Sequence, residues 1–216
     1  TLSSSSAASD VYKRQNQDAA FGFRQVGGLG SRPTSNGTSK YVIASGYTSA
    51  IYAGDIVEMG AGTDESGAAI AAGYIGQAAA TSSTRNLGIF NGCFYDDPTT
   101  RKPTFNNYWP GDIDVTNPAA GATAFVYDDP ADLFEVQTSG TINQTYVGRS
   151  IDMAYTAGAA VTNGRSKEEI GATSYAGTGQ MALIRVSEDP SNSDETAANS
   201  NWIVKFNEHV YYNNAL

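Results

Sequence analysis

An acidic-proline step occurs three times in this chain, each time after a run of strand-forming residues, and it commits the fold to short strands joined by tight turns. Asp96-Asp97-Pro98 follows Gly92-Cys93-Phe94-Tyr95, Asp128-Asp129-Pro130 follows Ala124 to Tyr127, and Glu188-Asp189-Pro190 follows Leu183-Ile184-Arg185-Val186. Aspartate accepts hydrogen bonds from backbone N–H groups just downstream and proline fixes φ, so each step is a turn. Around the second step, the runs Ala124 to Tyr127 and Leu133 to Gln137 predict a hairpin. Alternation puts Leu133, Glu135 and Gln137 on one face and Phe134 and Val136 on the other, as in a half-buried strand. Turn formation accounts for Asp128, Asp129 and Asp132 without a metal or a catalytic pair.

The remaining segments repeat this pattern. Only 16% of the residues are charged, and 23 glycines and 13 tyrosines favour strands and turns over helices. Strand runs fall at Tyr41 to Ala44, Ile51 to Met59, Ala68 to Gln77, Asn86 to Tyr95, Gln144 to Met153, Gln180 to Val186 and Trp202 to Tyr212. Within the second, Gly54-Asp55 marks a bulge or the tight bend of a small barrel. Ser166-Lys167-Glu168-Glu169 fits a capping box, but Gly171 stops any helix early, leaving a short helix or an edge strand. About nine short strands make an all-β domain, a small β-barrel or β-sandwich, over residues 41–216.

Asn16 to Lys40 carries Phe21, Phe23 and Arg24, then Gly27-Gly28-Leu29-Gly30 and a polar run. Alone it buries too little apolar area to fold, so an extended N-terminal arm ordered on another surface is expected. Its glycines lack both the preceding strand and the following Lys-Ser/Thr of a phosphate loop and read as flexible. Ser5 to Gln15, SSAASDVYKRQ, reads as the in-frame translation of a transposase sequencing adapter. Residues 1–15 are therefore expected to be an adapter-derived artefact with the natural chain starting near Asn16; they lack the apolar core of a signal peptide. Without Lys13, Arg14 and Asp10 the formal charge moves from −9 to −10.

An acidic chain repels phosphate, so a nucleic-acid partner is not expected. No apolar run approaches the roughly 18 residues of a membrane helix, and no membrane partner is expected. Nucleophilic catalysis would rest on His209, the single histidine, in the last strand run; no G-x-S-x-G accompanies it. Cys93 sits in an apolar run as a small buried hydrophobe. One Cys and one His cannot fill a structural zinc site. The acids at 96–97, 112–114, 128–132 and 189–195 are hard oxygen ligands but never in D-x-D-x-D-G spacing. Glycoside hydrolysis would need two of them paired in a cleft. The expectation is a non-enzyme without cofactor or metal. The proline-rich stretch Asp96 to Pro118 holds Phe105, Tyr108 and Trp109 and is the best local candidate for a contact surface; Trp109 alternatively plugs the barrel end.

Five stretches carry a resemblance: NQDAAFGFRQVGGLG from Asn16, YVIASGYTSAIYAGDIVEM from Tyr41, NLGIFNGCFYDDPTTRKPTFNNYWPG from Asn86, AFVYDDPADLFEVQ from Ala124, and EDPSNSD with FNEHVYYN near the end. With these the chain resembles small structural proteins of marine bacteriophages, those infecting cyanobacteria and abundant ocean heterotrophs. The likeness covers nearly all of the chain after residue 15. The I-x-x-GD-x-V pattern from Ile51 to Val57 is similar to that of β-barrel capsid cement proteins. The resemblance implies a virion protein on the outer capsid surface, a decoration or cement protein stabilising the head shell. Its partners would be the major capsid protein and copies of itself, as a homo-oligomer. Phe21, Phe23 and Arg24 of the arm and Phe105, Tyr108 and Trp109 of the long loop would make the contacts. Negative charge suits an outer face better than one against packed DNA. A shell protein itself would need a long spine helix, for which no segment has the period. The alternative is a head-surface or tail receptor module that binds a host-surface glycan by stacking on Tyr108 and Trp109.

Overall fold

The computed structural model describes residues 16–31, 37–80, 85–111, 113, 121–156, 163–175 and 178–212. The adapter-like segment and the acids Asp112 and Asp114 lie outside the described residues. The fold is all-β. In chain order its strands begin with β1 (Arg24–Gly28), β2 (Ser39–Ile43), β3 (Ile51–Tyr52), β4 (Ile56–Met59), β5 (Gly62–Thr63), β6 (Ala69–Ile70) and β7 (Ile75–Gln77). The middle of the chain gives β8 (Asn86–Asp96), β9 (Pro103–Asn106), β10 (Tyr108–Trp109), β11 (Ala122–Tyr127) and β12 (Asp132–Gln137). The last are β13 (Ser150–Ala154), β14 (Glu169–Tyr175), β15 (Met181–Val186) and β16 (Asn201–Phe206). Some strand runs divide at bends, and β1, β5, β9 and β10 lie outside the expected runs, so sixteen strands stand among the described residues where about nine are expected.

Five strands close a barrel in the order β11-β2-β7-β4-β8, with β8 returning to β11 and β9 continuing outward from β8. A second, open sheet runs β1-β12-β16-β15-β13-β14. The barrel interior holds Ile43, Val57, Leu87, Phe90, Cys93, Ala124, Val126 and Trp109. A separate core, including Phe134, Val136, Trp202 and Val204, packs the open sheet against Ile56, Ala78 and Ile89 on the barrel's outer wall. The molecule is thus a barrel and a sheet sharing one wall. Gln180 ties them: its Nε2 donates to Ala79 O at 3.0 Å while its Oε1 accepts from Met153 N at 3.1 Å.

Strand β8 serves both cores by breaking its alternation twice. Register shifts against β4 near Leu87 and against β11 near Asn91 let Leu87, Phe90, Cys93 and Tyr95 all face the barrel interior while Ile89 faces the sheet. Each extra residue flips the phase of those after it.

The hairpin expected around Asp128-Asp129-Pro130 does not form. Both edges of β11 are taken by β2 and β8 in closing the barrel, so β12 has no edge to pair with and starts the second sheet instead. The turn chemistry itself holds at all three acidic-proline steps. Asp97 Oδ1 accepts from Thr99 N at 2.8 Å, Asp129 Oδ1 from Ala131 N at 2.8 Å, and Asp189 Oδ1 from Ser191 N at 2.9 Å. The first joins the antiparallel neighbours β8 and β9, the second crosses between sheets, and the third begins the connection from β15 to β16.

Other expectations shift as well. Ser166 to Glu169 forms no helix: Ser166 Oγ accepts from Glu168 N at 3.0 Å, and β14 follows as an edge strand. Gln144–Tyr146 is a 3₁₀ turn and the strand begins at Ser150. The last strand ends at Phe206, so His209 lies in the loop beyond it.

Candidate functional site

The arm finds its partner within the chain. Gln137 Nε2 donates to Gln17 O at 2.8 Å and Gln137 Oε1 accepts from Ala19 N at 3.0 Å. Asn16 Nδ2 donates to Asp194 O at 2.8 Å and Ala198 O at 2.9 Å. The buried amides of Gln137 and Asn192 thus pair with the arm's backbone at Gln17 and Ala19, the role that water plays for a free segment. The Gly27-Gly28 pair reads as flexible in the sequence but extends β1 along β12, opposite Leu133 and Asp132.

Where the arm crosses the barrel, a groove of about 430 Å³ opens. Of its lining, Phe23, Gly54, Ile89 and Phe90 are buried and form the floor; Phe21, Gln25, Ala53 and Tyr127 are half-buried; Arg24, Asn91 and Arg165 are exposed. The backbone around it is fixed, with Phe23 N donating to Gly54 O at 2.9 Å and Gly54 N to Phe90 O at 2.8 Å. Glycine is required at Gly22, whose φ is +74° and where a Cβ would lie 2.4 Å from Ser166 Cβ. Phe21 and Arg24 stack, the guanidinium 5.1 Å from the ring centroid, and Arg24 also pairs with the buried Glu135. Ser187 Oγ donates to the other oxygen of Glu135 at 2.5 Å.

Beneath the groove lie two sealed carboxyl groups, Asp55 at 1% and Glu168 at 0% exposure. Asp55 Oδ2 accepts from Tyr52 N at 2.7 Å and Gln77 Nε2 at 3.2 Å, which makes the Gly54–Asp55 bend a closed turn as its sequence suggests. Glu168 Oε2 accepts from Ile56 N at 2.9 Å. Burial pushes Asp55 up to about 7. Burial, with the Asp55 charge beside it, holds Glu168 well above the ordinary carboxylate range. Neither reaches a cleft; their visible work is to cap backbone N–H groups between the barrel and β14.

The six contact candidates separate into three places. Phe21, Phe23 and Arg24 meet at the groove, but the Phe23 ring joins the shared core and offers no outward surface. Trp109 is fully buried inside the barrel: its Nε1 donates to Tyr47 O at 3.1 Å and its ring meets Tyr95 edge-on at 5.5 Å. Tyr108 stacks on Tyr52 at 5.9 Å. These two are taken up by the fold because β10 pairs with β3. Phe105 is different. It is 61% exposed and stands opposite Phe94, itself 44% exposed, across β8 and β9. Its ring passes over Gly92, where a Cβ would come within 3.0 Å of Phe105 Cζ, to meet Phe125 at 6.0 Å. Three phenylalanines therefore form one apolar patch on the barrel's outer wall, beside β9, the outermost strand of its sheet.

Tyr127, Asn91 and Arg165 of the groove, and Phe94 and Phe125 of the patch, escape a reading of the sequence. The pairing of β8 with β11 brings Tyr127 to Asn91 and Phe125 to Phe94, while Arg165 reaches the groove through its bridge to Ala53. The outward alternation of Phe125 and Tyr127 against Ala124 and Val126 was the one available signal.

His209 and Cys93 are held in structural roles. His209 is buried, its Nε2 2.7 Å from Leu87 O and its Nδ1 accepting from Tyr211 N at 3.2 Å. This fixes an Nε2–H neutral ring, and burial lowers its pKa. Cys93 is sealed in the barrel and pushed up to about 12 by burial. No group of three or more metal-ligating side chains occurs among the described residues. Neither protein-family models, nor curated proteins, nor solved structures yield a match to this chain.

Proposed function

We propose that the chain is a non-enzymatic structural protein of a bacteriophage virion, a decoration protein that docks on the outer face of the head shell and stabilises it. The observation that carries this reading is the Phe94–Phe105–Phe125 patch. Large aromatic side chains left exposed together on a rigid wall lower their free energy by burial against a partner. A shell offers the same site many times, so modest contacts per copy add up through symmetry. The net charge of −9 suits a surface turned away from packed DNA. The resemblance to marine phage structural proteins supplies the partner, a shell subunit, and copies of this chain would occupy neighbouring sites. The arm, clamped on its own sheet, leaves the patch as the docking element. The stacking platform that a glycan receptor would have at Tyr108 and Trp109 is committed to the barrel.

The test is reconstitution on heads lacking this protein. Wild-type protein is expected to bind and to raise their resistance to heat and low salt. Phe94→Ser with Phe105→Ser, both outward-facing, should remain folded and lose binding. Heads equally resistant with and without the protein would refute the stabilising role.

A further inference from the structure

We propose that the groove between the arm and the barrel binds an acidic saccharide, a sugar that carries a carboxylate. Its lining contains two guanidinium groups, Arg24 and Arg165, and no acidic residue, a local inversion in a chain whose net charge is −9. The two cations are not equivalent. Arg24 is balanced from behind by Glu135. Arg165 is exposed and has no carboxylate partner among the described residues. An anion in the groove therefore supplies the missing counter-charge, and a carboxylate matches the planar fork of donors that a guanidinium presents.

The rest of the lining fits a sugar better than a bare anion. Phe21 and Tyr127 give aromatic sides for the apolar face of a pyranose ring, and the amide of Asn91 offers both a donor and an acceptor for hydroxyls. A phosphate ion would use the arginines and leave these walls idle. The volume of about 430 Å³ falls in the size class of small-ligand sites, about 300–1,000 Å³. The floor is set by backbone hydrogen bonds among three segments, so the site is formed before the ligand arrives. This site is separate from the phenylalanine patch, and its failure would leave the docking proposal standing.

The experiment is calorimetric titration of the full chain with a trigalacturonate, a neutral galactotriose and inorganic phosphate, repeated on Arg165→Ala and Arg165→Glu. Saturable binding of the trigalacturonate is expected, with no binding of the neutral trisaccharide at tenfold higher concentration. Loss of one charge-assisted contact should weaken binding about tenfold or more in Arg165→Ala and abolish it in Arg165→Glu, with melting temperatures unchanged. Equal binding of charged and neutral saccharides, phosphate binding as tightly as the uronate, an Arg165→Ala protein that binds like the wild type, or no saturable uronate binding would each overturn the proposal.

Discussion

Asp55 and Glu168 make the stability of this protein depend on pH in a direction that can be worked out. Asp55 titrates at about 7 in the fold, against about 3.9 for an unperturbed aspartate. A raised folded pKa means that its contribution is complete below about pH 4 and is lost as pH rises through about 7, with Glu168 shifted the same way. His209 runs oppositely: its folded pKa is lowered, so its contribution is complete above about pH 6.5 and is lost as pH falls below that. Above about pH 6.5 the histidine is neutral in both states and no longer opposes the carboxyl pair. The melting temperature is therefore expected to fall as pH rises from about 6.5 through about 7, and Glu168→Gln to flatten that fall. A wild-type melting temperature flat across this range would mean that the pair is not sealed. Trp109 is the second residue-scale test. As a barrel plug, Trp109→Ala should cost about 3–5 kcal/mol of stability in denaturant unfolding. A near-neutral effect there would return Trp109 to the surface.

At the scale of elements, the arm behaves as part of the sheet. Phe23→Ala removes a ring from the shared core and should cost about 3–5 kcal/mol. Gly22→Ala forces a side chain into a left-handed backbone against Ser166 and should destabilise by more than about 1 kcal/mol. Hydrogen exchange gives an independent check: the Phe23 amide, bonded to Gly54 O, should exchange as slowly as those of β12, and fast exchange would mean an undocked arm. The local elements were legible in the sequence because their causes are local. The three aspartate–proline turns follow from side-chain and φ chemistry, and the Phe134/Val136 face follows from alternation. Pairing was not legible. Nothing near Asp128 says that β11 has both edges filled by β2 and β8, contacts made from dozens of residues away. The arm was obscure for the same reason, since Gln137, Asn192 and Asp194, which hold it, lie more than 100 residues downstream. In β8 two bulges also scramble the alternation that would have marked its faces.

For the whole molecule, a closed barrel and an open sheet share one wall, and the phenylalanine patch lies further along β8, on β8, β9 and β11. That patch is where the proposed role in the head shell meets the fold. A map of the intact phage particle at side-chain resolution tests it most directly. Density for this chain is expected at every equivalent position on the outer shell, with Phe94 and Phe105 within about 4.5 Å of a neighbouring subunit. Density confined to the tail, or a head-bound chain whose Phe94 and Phe105 face solvent, would contradict it.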